Sequence, residues 1–364
     1  MITEEITTNT SRSSFNCSYS PGIPELLHRL GCSMTISTYQ AGKVIFLSAK
    51  DENHLIQLPR TFRRPMGIAL KDRKMAIATK DEIVVLANDP RLGITYPKQP
   101  QTYDALYMPR ASYYTGHIDV HDLHWIGDQL WGINTYFSCL VSIDHEFSWT
   151  PRWKPSFITD LVSEDRCHLN GMAVQDRRPK YVSALGKGNI KQSWRDNITQ
   201  GGVVFDLDSD EIILSGLAMP HSPRVINGEL YLLLTATGEI VKADPQTGKY
   251  EVINQINAFI RGMAFHHNFL FVGFSRLRKD STTFKHLEIA KKADEAGIAV
   301  FHLPSGNLMG KIIYQDGVDE IYDVQVLANC KRPGILNHYD PAHQLGLSIP
   351  QDTYWAKDRF KDQE

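Results

Sequence analysis

The sequence has no long apolar run. No stretch approaches the ~18 apolar residues that crossing a bilayer takes. The N-terminal MITEEITTNTSRSSF is acidic and then polar, without the apolar core of a secretory leader. Cysteine is scarce. Cys17, Cys32, Cys139, Cys167 and Cys330 are odd in number and lack CxxC spacing, which excludes a disulfide scaffold and fits a reduced, cytoplasmic setting. Neither sign of charge prevails: 39 Lys and Arg face 41 Asp and Glu, for a net charge of -2. No global field therefore draws the chain to nucleic acid or to a membrane surface. No G-x-S-x-G elbow, P-loop, strand-borne G-x-G-x-x-G or H-E-x-x-H is present. No aromatic-plus-basic RNA motif appears either.

What the chain does have is a repeat. Six segments align: Arg64-Pro-Met-Gly-Ile-Ala-Leu70, Asp119-Val-His-Asp-Leu-His-Trp125, His168-Leu-Asn-Gly-Met-Ala-Val174, His221-Ser-Pro-Arg-Val-Ile-Asn227, Phe259-Ile-Arg-Gly-Met-Ala-Phe265 and Glu320-Ile-Tyr-Asp-Val-Gln-Val326. Their starts are 55, 49, 53, 38 and 61 residues apart. An irregular period near 50 argues for a propeller, whose blade loops vary while the strands persist. The fourth column reads Gly, Asp, Gly, Arg, Gly, Asp. Glycine there suits close backbone approach around a crowded central channel. The first column is polar apart from Phe259 and is expected to face the channel mouth.

The expected fold is an all-β, six-bladed β-propeller over residues 32–333. A loose arm and the short helix Pro24–Leu30 precede it (1–31), and a tail follows (334–364). Ser33–Tyr39, Lys43–Ser48 and Leu55–Leu58 read as strands ahead of the first full repeat, while the last inner strand has no blade of its own behind it. The N-terminal strands are therefore expected to complete the last blade and close the ring. Two loops break the rhythm: Gly186 to Gly201 in the third blade and Ser275 to Gly297 in the fifth. The second carries a helix-like run, Lys285 to Glu295. Both join second to third strands, so both are expected to overhang the mouth.

His121, His168, His221 and Glu320 are the sharpest candidates, brought to the mouth by four different blades. Three imidazoles and a carboxylate match the donor set of a catalytic divalent metal. Asp119 joins them, and Glu320, His121 and Asp119 are the groups expected to move protons. A metal-free polar site and a purely structural network remain open beside the metal. Arg64, Arg224 and Arg261 begin inner strands, and Lys187, Lys191, Arg195, Arg276, Arg278 and Lys279 lie on the two insertions. Such a basic rim suits a small anionic molecule or an acidic peptide. Asn170, Trp194 and Tyr322 complete the expected substrate pocket. Trp125, Trp131, Trp149 and Trp153 read as blade packing. His117, His124, His266, His267 and His338 read as exposed or deeper channel residues.

The RPMGIA, HLNGMA and IRGMAF cores, with MPHSPR and EIYDVQV, resemble an uncharacterised bacterial family of β-propellers from Cys32 to Pro333. More distantly, the repeated core is similar to that of gluconolactonase and strictosidine-synthase-like propellers. The lactonase resemblance implies a divalent cation held by Glu, Asn and Asp at the mouth, for which this chain offers Glu320 and Asn170. Its histidines stand at other stations, which moves the expected ion from calcium to zinc, manganese, iron or nickel. The function expected is a metal-assisted hydrolase, isomerase or lyase acting on a small anion. The alternative is a non-catalytic module that binds a peptide or protein.

Overall fold

The fourth-column glycines set how tightly the blades meet. In the computed structural model, which describes residues 15–277 and 282–357, a Cβ on Gly67 would lie 2.9 Å from Asp122 Cα. One on Gly171 would lie 2.4 Å from Pro223 Cδ, and one on Gly262 2.8 Å from Asp323 Cα. Each glycine of blades one, three and five thus admits the inner strand of the next blade.

Six antiparallel sheets surround this centre as a six-bladed β-propeller. Their inner strands are Ile68–Lys71, Val120–Ile126, Leu169–Gln175, Pro220–Ile226, Phe259–His266 and Asp323–Leu327, one in each aligned segment. Each blade runs outward as a meander. Its turns use residues that tolerate positive φ: Asn227 (φ 53°) and Gly228 (φ 84°) close the hairpin of blade four. Blade six pairs Asp323–Leu327 with Ser33–Thr38, followed by Lys43–Ala49 and Leu55–Thr61. The N-terminal strands close the ring, with Ile36 opposite Val324.

The core lies in the seams. One apolar cluster fills the gap between blades one and two, around Met66, Ala76, Leu123 and Val141. Corresponding clusters occupy the other five junctions. Strands packed on both faces are buried throughout, as in Ser33–Thr38.

The ends depart from the expected loose segments. Cys17–Tyr19 is no arm but a fifth strand on blade five, paired with Tyr314 to Ile312. The helix Gly22–Leu30 buries Ile23, Leu26 and Leu27 against the seam between blades five and six. Pro333–Ile335 adds a parallel strand to the outer edge of blade one. Gly346–Ser348 and Thr353–Trp355 form a hairpin beyond it. No described helix is long and apolar enough to cross a membrane.

Candidate functional site

A cavity of about 430 Å³ opens at the propeller mouth. Asp119, His121, His168, His221, Arg261, Glu320 and Tyr322 line it from blades two to six. Backbone strain aims part of this set. Asp119 (φ 57°) and His168 (φ 53°) sit in the left-handed region just before their inner strands. Non-glycine residues there cost about 1–2 kcal/mol each, and such positions gather at functional sites.

The three imidazoles share one arrangement. His121 Nδ1 lies 3.0 Å from the Asp119 carbonyl oxygen. His168 Nδ1 lies 2.8 Å from Asp165 Oδ1. His221 Nδ1 lies 2.9 Å from the Met219 carbonyl oxygen and 2.8 Å from Thr235 Oγ1. Thr235 Oγ1 itself donates to the Ile260 carbonyl at 2.6 Å, so it accepts from His221. Every Nδ1 partner is an acceptor, which places the proton on Nδ1 and leaves a lone pair on Nε2. The rings of His121 and His168 meet edge to face with centroids 4.9 Å apart. Burial first, then the positive charge of Arg261, pushes His121 and His221 well below the ordinary imidazole range. Both are neutral at physiological pH.

The other walls differ in character. Burial raises the Asp119 carboxyl, with His168 and Arg261 opposing. The Arg261 guanidinium stacks on the Tyr322 ring, 3.9 Å from its centroid. Burial pushes the Tyr322 hydroxyl well above its ordinary range. Above them sit the described residues of the two insertions, 185–201 and 276–277 with 282–296. Both overhang the mouth: Trp194 and Arg195 line the cavity from one, and Arg276, Leu277, Thr283 and Phe284 from the other. Arg195 donates a hydrogen bond to Thr283, tying the insertions together. Leu287 and Ile289 reach across to the seam of blades three and four. The helix-like run reduces to one 3-10 turn, Glu288–Lys291.

Some expected pocket residues lie elsewhere. Arg224 is not at the mouth. It sits on the channel axis with Nη1 3.0 Å from Asp122 Oδ2, because the fourth column points inward rather than upward. Asn170 is buried within blade three, away from the cavity lining, and its amide oxygen accepts from Ser183 Oγ at 2.9 Å. Arg64 lies on the rim over Tyr39, 5.6 Å from its ring centroid. Arg276 faces the cavity but pairs with Asp319 at 3.4 Å. His124 borders a second hollow among the far ends of the inner strands, and His338 pairs with Glu82 at 3.1 Å. Arg278 and Lys279 lie outside the described residues.

Asp165 is the group sequence reasoning missed. It precedes an inner strand by several residues and falls in no column. Yet its buried carboxylate accepts from His168 Nδ1 through one oxygen and from Trp194 Nε1, at 3.0 Å, through the other. It fixes the imidazole and the overhanging insertion together. Thr235 and Phe284 were equally hidden, being ordinary strand and loop residues.

Comparison places the chain. The model of the family described as "Domain of unknown function (DUF4915)" matches residues 21–336, and the chain belongs to that family. No curated protein matches, so the resemblance to lactonases gains nothing there. Among solved structures it is similar to a chain of the "Crystal structure of Nidogen/Laminin Complex", with a TM-score of 0.51 and 10% identity over 82% of this chain and 99% of that one. At that identity the likeness concerns the fold alone.

Proposed function

We propose that this DUF4915 protein is a metal-assisted enzyme acting on a small anionic molecule at the propeller mouth. One observation carries the reading. Imidazoles from three successive blades each surrender Nδ1–H to a fixed acceptor, as metal-ligating histidines do, and each lines the same cavity with an available Nε2. His121, His168, His221 and Glu320 would hold the ion, zinc, manganese, iron or nickel. Among the described residues no three His, Cys, Asp or Glu side chains stand close enough to hold an ion as placed. Binding therefore requires the side chains to draw inward by rotation. When bound, such an ion polarises a carbonyl or activates water.

The chain's own groups supply the remainder. Arg261 holds the anion. Asp119, its carboxyl raised by burial, holds a proton more readily than an exposed carboxylate does. The linked insertions keep bulk water from the mouth. Hydrolysis, isomerisation and lyase chemistry all suit that set.

The test is elemental analysis of full-length protein incubated with each of the four metals and desalted. Wild type should retain a stoichiometric ion. His168→Ala should lose it while melting as wild type does, since a mouth residue adds little core packing. Asp165→Asn should weaken uptake by about 10- to 100-fold, because the carboxylate orients His168. Wild type that stays metal-free with all four ions removes this reading and puts the non-catalytic binding module first.

A further inference from the structure

The cavity sets Arg261 against a group of aromatic rings, while its other two arginines are engaged, Arg276 with Asp319 and Arg195 with Thr283 and the Trp194 ring, and that arrangement describes a ligand. Arg261 is half-buried against Tyr322. Among the described residues no carboxylate pairs with it and no acceptor takes its N–H groups. It lines the cavity together with Asp119, His121 and His221. Its N–H groups are therefore free to take an anion bound in the plane of the guanidinium, as a planar fork does. The acids around it limit the anion's charge. Asp119, Asp165 and Glu320 line the same walls, so a dianion such as phosphate meets about twice the repulsion from them that a monoanion does.

The roof side is apolar. Trp194 is buried, its ring 6.5 Å from Phe284, and Phe259 lies 6.2 Å from Phe284. Leu185, Met219 and Leu277 continue this wall. Trp194 is held by Asp165, so the wall is preformed rather than assembled around the ligand. Trp194 backs this wall, its ring covered by His168 and Arg195 at 4.4 and 4.6 Å, and the partly buried rings of Phe259 and Phe284 line the cavity in front of it.

We propose that the cavity takes a monocarboxylate with a flat apolar body. The carboxylate lies in the fork of Arg261, and the body lies against Phe259 and Phe284. This rests on the reading of the cavity as the working site and not on its metal.

Calorimetric titration of the full-length protein, stripped with chelator and separately incubated with zinc, tests it. The probes are 3-phenylpropanoate, its neutral amide, propanoate and inorganic phosphate. The acid should bind both preparations, and the amide about 10- to 100-fold more weakly, the worth of a charge-assisted hydrogen bond. Arg261→Met should cost 3-phenylpropanoate a similar factor. Phe284→Ala should weaken 3-phenylpropanoate and leave propanoate unchanged. An amide equal to the acid, phosphate tighter than the acid, or an acid that fails to bind overturns the proposal. The acid–amide comparison uses wild type alone and decides even if Arg261→Met does not fold. Zinc uptake without binding of the acid sinks this proposal and spares the metal. Binding of the acid by a protein that takes up no metal does the reverse.

Discussion

At the scale of single residues, the site is defined by groups denied their ordinary protonation. Burial first, and Arg261 second, hold His121 and His221 neutral. Unfolding returns both to about 6.5. Below that pH the unfolded chain binds protons that the folded chain refuses, so stability declines with falling pH. Asp323 opposes this. Burial raises it to about 6, so between there and the ordinary carboxylate range the folded chain takes the proton first. Comparing wild type with His221→Gln cancels the Asp323 share and isolates one imidazole. The stability gap should stay flat from pH 8 to 7. Below about pH 6.5 the wild type should lose ground to the variant, by up to about 1.4 kcal/mol per pH unit. Urea melts at pH 8, 7, 6 and 5.5 measure it. A gap that ignores pH would mean that His221 protonates freely in the folded protein.

At the scale of the element, the inner strand does two jobs with two sets of positions. Its start serves the mouth, and the ring is served by the fourth position in blades two and six and by the second in blade four. Asp122 of blade two accepts from the backbone N–H of Met172 in blade three at 3.0 Å. Asp323 of blade six accepts from Ile68 N of blade one at 2.8 Å. In blade four, Ser222 Oγ accepts from Gly262 N of blade five at 3.0 Å. Even blades thus cap odd ones, and odd blades answer with glycine. That alternation was legible in the six aligned segments, as were the mouth histidines. Arg224 departs from the expected pocket because its column points into the channel, where two acids receive it. It stands between Asp122 and Asp323, 3.0 and 4.0 Å from their oxygens. Burial alone would raise Asp122, yet Arg224 and His124 hold it below the ordinary carboxylate range. Arg224→Met should therefore cost about 3–5 kcal/mol, the usual result of leaving a buried charge without its partner. Its affinity for ligands at the mouth should not change. Chemical denaturation with parallel titration separates the two, and a stable variant with weakened ligand binding would return Arg224 to the pocket.

At the scale of the whole molecule, closure comes from strands at opposite ends of the chain. The need for it was legible, since the last repeat lacked a blade and the first strands lacked a repeat. That both insertions overhang the mouth was legible as well, but what ties them down was not, because those contacts join Arg195 to Thr283 and Leu287 to a distant seam, and no pattern within one segment encodes them. The closing pair is as buried as any other: Met34, Ile36 and Val324 are fully enclosed in the seam of blades five and six. Ser37 Oγ adds a hydrogen bond to the Met66 carbonyl and accepts from Asp323 N, binding blade six to blade one. With no free inner edge, blade six has no easier route to opening than blade three, whose Met172 and Val182 are equally buried. Native-state hydrogen exchange should give the amides of Ile36 and Val324 opening free energies within roughly 1 kcal/mol of those of Met172 and Val182. Ile36→Ala should lower all four together, by about 2–5 kcal/mol, because a seam in a closed ring is lost only with its neighbours. Faster exchange confined to Ile36 and Val324, in wild type or in the variant, would show that the ring opens at its closing blade first.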